Sequence, residues 1–234
     1  MTASERSTLS RLELNDDFRP NEDIRRFLTD KFHEIKRCHQ FRPQIPHFWP
    51  SEHQTETLVR KASGQFIYAA LAVRFINSPC DSPQRQLDIV LGLRPPINDD
   101  LPFAELDTLY KFILSCAKNV GLVLRILGVY DVLYANSIHN PITETEAVLS
   151  LDDGDVHIYL SPLSSLLELR ENGGRYRIAF RHSSFMDFLH SQERSEGYYV
   201  DDRTSYAFIA QWVLQAFTSN GTCPRCTFNT LPFE

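Results

Sequence analysis

Arg181, His182, Ser183 and Ser184 follow one another, and they carry the sharpest chemistry in this chain. A histidine can donate a hydrogen bond to a phosphate oxygen, and its charge responds near neutral pH. An arginine beside it can hold phosphate through two parallel N–H bonds; read from the residues alone, Arg181 is a surface residue that closes a strand. A serine next to a histidine suggests a nucleophile and its base, but such a pair is defined by geometry and not by adjacency, so neither serine is read as catalytic. Cys223 and Cys226 have the two-residue gap of a metal or redox pair. A structural zinc needs four ligands, and no second pair follows, so these thiols read as structural or incidental. His182, Asp187 and His190 do not have metal-ligand spacing on a helix. Neither H-E-x-x-H nor G-x-S-x-G occurs.

The elements that must position His182 can be read around it. Leu166–Leu169 and Arg175–Phe180 read as two strands joined by Asn172-Gly173-Gly174, a turn whose residues suit the positive φ angles of a tight hairpin. A helix from His182 to about Ser191 follows, with Phe185, Phe188 and Leu189 as core. An opening turn of that kind offers free amides to an anion. Upstream, 121–134 reads as an apolar helix. Thr143 is the expected N-cap of a second helix near Pro141, and 152–165 is a third. Three helices, a hairpin and a return helix make a winged-helix-like order over 119–202. The third helix is the usual DNA reader of such a module. Here it opens on Asp152, Asp153 and Asp155 and carries no Lys or Arg before Arg170, so phosphate repulsion opposes docking.

The N-terminal half reads as helices. A short strand over 9–14 leads to a helix opened by Pro20 or Asn21, with Glu22 and Asp23 in its first turn and Lys36 and Arg37 in its last. Residues 41–50 hold three prolines and Trp49 and read as a connector. Ser51 caps a helix running to about Ala62. Ser63-Gly64 breaks the pattern, and a helix from Gln65 to Ile76, apolar nearly all round, is expected to be buried. Helices over 83–92 and 103–118 flank a Pro95-Pro96 linker. Phe27, Phe32, Phe41, Phe48 and Trp49 read as packing residues. A last helix covers 203–218, with Tyr206, Ile209, Val213, Leu214 and Phe217 near one face. The expected fold is mostly α, a helical bundle followed by the winged-helix-like module with its small hairpin.

The totals set bounds. The chain has 234 residues, 42% hydrophobic and 23% charged, enough for a real core. A net charge of −6 lacks the basic footprint of a nucleic-acid binder. No apolar run is long enough for a membrane span, and the polar start lacks the apolar core of a secretory signal. Five cysteines, an odd number at scattered positions, fit a reducing compartment, with the cytoplasm expected.

One ordered series of segments resembles a known family. Leu12-Glu13-Leu14, then Asp23–Leu28, Trp49-Pro50-Ser51, Leu58–Ala69 and Leu87–Pro95 resemble the fungal NACHT-type proteins of the signal-transduction NTPases with numerous domains, the STAND class. The resemblance runs from about Leu9 to Val200. In that family a P-loop core is followed by a helical domain and a winged helix. It implies that 1–45 correspond to the end of the NTPase domain, 46–118 to the helical domain and 119–202 to the winged helix. Residues 203–234 would be a C-terminal helix and tail beyond the winged helix. Gly64 and Phe66 fall at the family's Gly-x-Pro sensor turn, with Phe66 where related members carry Pro, which tells against an adenine contact. His182 resembles the His of the Met-His-Asp motif that touches ADP phosphate, with Arg181 for Met and Ser183 for Asp.

The family's G-x-x-x-x-G-K-[ST] phosphate loop does not occur in this chain. Leu124–Asp131 matches a Walker B strand only superficially, since Arg125 interrupts it and it reads as helix, so Asp131 reads as structural. The expected role is therefore regulatory: a module that closes over ADP and gates oligomerisation, without hydrolysis of its own. It would be a C-terminal portion of such an NTPase, a truncated relative or the product of an incomplete gene model, and an apolar patch is expected where the missing core would press. No cofactor is expected for this chain alone, whereas ADP and ATP are implied for complete relatives. Protein partners, either complete NACHT proteins or a second copy, are expected rather than nucleic acid or membrane. A free-standing interaction or decoy protein is the alternative, and a nucleic-acid-binding winged helix the remaining one.

Overall fold

A computed structural model describes residues 19–95 and 103–218. The strand expected over 9–14, Pro96 of the proline linker and the Cys223–Cys226 pair lie outside the described residues.

Helix α1 spans Pro20–Cys38, α2 Glu52–Ala62 and α3 Phe66–Ile76. Proline is placed where a helix start tolerates a missing N–H, and α1 carries its acids first and its bases last, as the helix dipole favours. Ser51 caps α2, and Gln54 returns the bond, its side-chain oxygen accepting from the Ser51 amide at 2.9 Å. Ser63 and Gly64 then turn left-handed, with φ of 46° and 76°, and reverse the chain into α3. Helix α3 is buried along Tyr68, Ala69, Leu71, Ala72, Val73 and Ile76, as its all-round apolarity requires. It packs on α1, on α2, on α4 (Pro83–Gly92) and on α5 (Ala104–Ser115). Phe32 and Trp49 meet edge to face at 5.3 Å in this core. Phe48 does not join them; it is 82% exposed, because the turn that buries Trp49 aims its neighbour outward.

Buried charge is answered across helices. The Lys61 ammonium, 7% exposed as a residue, donates to the Leu93 carbonyl at 2.8 Å and to Glu105 at 2.6 Å, tying α2 to the end of α4 and to α5.

The second half follows the winged-helix-like order. Helix α6 spans Val120–Ala135, α7 Pro141–Val148 and α8 Asp155–Leu160. Strands β1 (Leu167–Asn172) and β2 (Arg175–Phe180) form an antiparallel hairpin with Asn172 opposite Arg175. Gly173 and Gly174, at φ 61° and 77°, make its two-residue turn. Helix α9 is Ser184–Leu189, the short α10 is Gln192–Ser195 and α11 is Asp202–Thr218. Tyr130 of α6 plugs the outer edge of β2: its hydroxyl accepts from the Ile178 amide at 2.9 Å and donates to the Ile178 carbonyl at 3.3 Å. One continuous set of buried apolar side chains runs from Ile24 through Phe188 to Val200. Among the described residues no single helix is long and apolar enough to cross a membrane.

Three expectations change. Thr143 is not the N-cap of α7; the helix begins at Pro141, and the Thr143 hydroxyl accepts from the Asn140 side chain at 2.8 Å. The third helix keeps only six α-helical residues, because Pro162 turns its end into a 3-10 turn over Ser161–Leu163. Helix α11 buries Ser205 and packs Phe208, Ile209 and Trp212 on α6 and α7, so Tyr206, Leu214 and Phe217 face outward. The close approach at Gly128 chooses that face. A Cβ there would sit 2.4 Å from the Ser205 hydroxyl and 2.8 Å from a Val200 methyl.

Gly128→Ala is therefore expected to destabilise the protein in urea unfolding by about 1–3 kcal/mol, although alanine is the better helix former. Adding Ser205→Ala should recover part of that loss. An unchanged or raised midpoint for the single variant would show that α11 does not depend on this approach.

Candidate phosphate-facing corner

The corner between β2 and α9 is set by packing on both sides of it. The Arg181 amide donates to the Leu166 carbonyl at 2.8 Å, which holds the chain beside β1 as it leaves the hairpin. Beyond it, Phe185 drops into the core, where Tyr110 of α5 lies 5.1 Å from its ring and 5.2 Å from that of Phe188. His182, between these anchors, is exposed.

Its orientation is fixed from below. The Ser184 amide donates to His182 Nδ1 at 3.0 Å. An amide N–H aimed at Nδ1 requires a lone pair there, so the ring proton sits on Nε2. The Ser184 hydroxyl, 2.8 Å from the same Nδ1, then donates to it and accepts from the Tyr110 hydroxyl at 2.9 Å. Burial pushes the Tyr110 phenol above its ordinary pKa, which keeps it a donor. The chain Tyr110–Ser184–His182 thus ties α5 to the corner. The first free amide of this short helix goes to the imidazole itself, so the anion site expected from open amides is replaced by an imidazole N–H.

A recess of about 10 Å³, room for one oxygen-sized atom, lies beside His182. Ile67, Leu71 and Arg74 of α3 line one wall, and Ser165, Arg181 and His182 line the other. The Ser165 hydroxyl is 4% exposed as a residue and has no hydrogen-bond partner. Around it the charge is unbalanced. Glu168 holds Arg181 at 2.6 Å and also pairs with Arg170. Arg74 has no ion pair among the described residues, and burial, then repulsion from Arg181, lower its pKa. Two guanidinium groups, Arg74 and Arg181, and an imidazole therefore line the recess, and Glu168, the carboxylate beside them, is shared with Arg170 outside it. Chemically this corner can accept one oxygen of an oxyanion and neutralise its charge.

The other sequence candidates are placed apart from the recess. Gly64 makes its left-handed turn against Pro20, and the Phe66 ring lies 4.7 Å from Phe27 of α1. Both open α3, whose Ile67–Leu71–Arg74 face then reaches His182, but neither lines the recess. Asp131 sits on α6, 3.8 Å from His190, and burial raises its pKa. It borders a wider cleft of about 720 Å³ with Tyr130, Tyr134, Arg177 and Asp187. Among the described residues no group of three or more His, Cys, Asp or Glu could hold a metal ion.

Arg74, Ser165 and Tyr110 escaped the reading of the sequence. Arg74 had one signal, as the only charged residue in Phe66–Ile76. Ser165 and Tyr110 had none, because their roles depend on what lies opposite them. Comparison with protein-family models, with curated proteins and with solved structures gives no match.

Tyr110→Phe is expected to cost about 1 kcal/mol in unfolding free energy, the net worth of one such hydrogen bond. It should also broaden the imidazole nitrogen signals of His182 in ¹⁵N NMR as the ring loses its single tautomer. A sharp, unchanged Nε2–H pattern would show that the Ser184 amide alone fixes the ring.

Proposed function

We propose that this chain is a regulatory module of the NACHT-type STAND class, one that closes on a nucleotide phosphate held by a complete NTPase core and performs no hydrolysis itself. The observation that carries this reading is that Arg74, Arg181 and His182 line one small recess together with Ser165, whose hydroxyl has no hydrogen-bond partner. Arg74 comes from the helical half and the other three from the winged half, so one oxyanion would draw on both. ADP would supply the phosphate charge. His182, Arg181 and Arg74 would hold it, and Ser165 would take one oxygen at the floor.

Such a module works by contacting one nucleotide state better than another, since only a difference in contact free energy shifts a conformational equilibrium. The family motif at His182, the ordered series from Leu12 to Pro95 and the charge imbalance at the recess support the reading together. The absence of a G-x-x-x-x-G-K-[ST] loop from the sequence supports a role without hydrolysis.

DNA reading by the winged half has less support. The amides at the start of α8 are occupied by Glu146, which accepts from Gly154 at 2.9 Å and from Val156 at 3.3 Å. Asp152, Asp153 and Asp155 would face the phosphates of a groove.

An NMR-monitored titration tests the proposal. Inorganic phosphate should shift His182 and the residues of the recess with a Kd on the order of millimolar, as a few solvent-accessible contacts to a small anion allow. ADP should bind no more than about tenfold tighter by calorimetry, because nothing cradles its second phosphate. Arg74→Ala and His182→Ala should each abolish the shifts. Submicromolar ADP binding would overturn the division of labour, and His182 signals left unmoved by phosphate well above that Kd would sink the site.

A further inference from the structure

Helix α11 has an unusual outer surface. From Thr204 to Thr218 it contains no Asp, Glu, Lys or Arg. Its inner face, Ser205, Phe208, Ile209 and Trp212, is used against α6 and α7. The turns of the helix then bring Tyr206, Ala210, Leu214 and Phe217 onto one outer stripe, with Arg203 at its start. Tyr206, Leu214 and Phe217 are 54%, 65% and 80% exposed. A helix apolar on both faces is one that a folded assembly covers on both faces.

We infer that this stripe is an interface between two copies of this chain, with their α11 helices paired antiparallel about a two-fold axis at Ala210. The stripe is its own complement about that residue. With Ala210 against the partner's Ala210, Tyr206 meets the partner's Leu214 and Arg203 meets the partner's Phe217. The small residue at the crossing lets the axes approach, and the large ones fill the space to either side. Arg203 at the head of one helix lies at the tail of the other, where the helix dipole is negative and the partner's Phe217 presents its ring. Like residues meet only at alanine, so nothing on the stripe repels its own copy. A strongly charged partner would find only Arg203 to pair with.

The size sets the strength. A 17-residue helix is roughly 25 Å long. An antiparallel pair of that length buries on the order of 1,000 Å² in total, the lower edge of specific interfaces, so the dimer is weak and reversible. The inference does not rest on the phosphate reading; a failed phosphate titration leaves it standing, and the reverse holds.

Sedimentation velocity on the full chain between about 1 and 200 µM tests it. The expected result is a monomer–dimer equilibrium with a Kd of roughly 10–100 µM. Leu214→Asp and Phe217→Asp should each weaken it at least tenfold, while thermal melts by circular dichroism stay unchanged because both side chains are exposed. Register is tested in Ala210→Cys with a short bis-maleimide and peptide mapping, which should join position 210 of one copy to position 210 of the other. A monomer throughout the range would overturn the inference, as would a dimer that survives both aspartates. A cross-link from the introduced thiol to Cys223 or Cys226 of the same chain would also overturn it, because the chain's own following segment would then cover the stripe.

Discussion

The seam between α5 and α9 is the contact on which the rest of the arrangement depends. Tyr110 supplies most of it. Its ring packs between Phe185 and Phe188, and its hydroxyl reaches past them to Ser184. Asp107, one turn earlier on α5, takes Arg194 of α10 through two bonds of 2.7 and 3.0 Å. Lys111 adds a bond to Glu196 at 2.8 Å. Apolar burial supplies the energy here, and the paired charges supply direction, since a bidentate guanidinium tolerates little rotation. Without this seam α9 would have no fixed position relative to α3, and Arg74 and His182 would not share a recess.

The recess is one of several places where a buried polar atom lacks a partner, alongside Trp49 Nε1, Tyr68 Oη and His39 Nε2. Most buried polar groups are answered: Lys61 by Glu105 and a carbonyl, Glu146 by two amides, Thr145 by the Pro141 carbonyl at 2.6 Å. Ser165 lies where the winged half turns from α8 into β1, facing α3 across a gap that only an oxygen-sized atom fills. A buried hydroxyl left without a partner costs about 1–3 kcal/mol in desolvation.

Much of the architecture was legible without coordinates, because it rests on local rules. Ser51 and Ala62 bound α2 through a cap and a left-handed turn. Gly173-Gly174 fixes the hairpin register because two consecutive positive φ angles fit a two-residue turn. Pro83 and Gly92 bound α4. The errors fall where a tertiary contact outranked a local preference. Thr143 has a capping side chain, but Pro141 already starts the helix. The buried face of α11 is not legible from spacing, because no charged residue between Thr204 and Thr218 marks an outer side. The bare backbone of Gly128 selected Ser205 and Phe208 for the inside.

The sequence by itself determined the helices, the hairpin, the winged-helix-like order and the position of His182 at the corner after β2, because caps, turns and apolar spacing act over a few residues. It also determined that no phosphate loop of the G-x-x-x-x-G-K-[ST] type lies within these 234 residues. Only the tertiary structure decided that Ser184 and Tyr110 hold the His182 ring, that Arg74 lines the same recess and that the Ser165 hydroxyl there has no partner. Those facts join residues that lie far apart along the chain. They depend on how buried surfaces stack, and spacing along a sequence carries no record of which surface lies opposite.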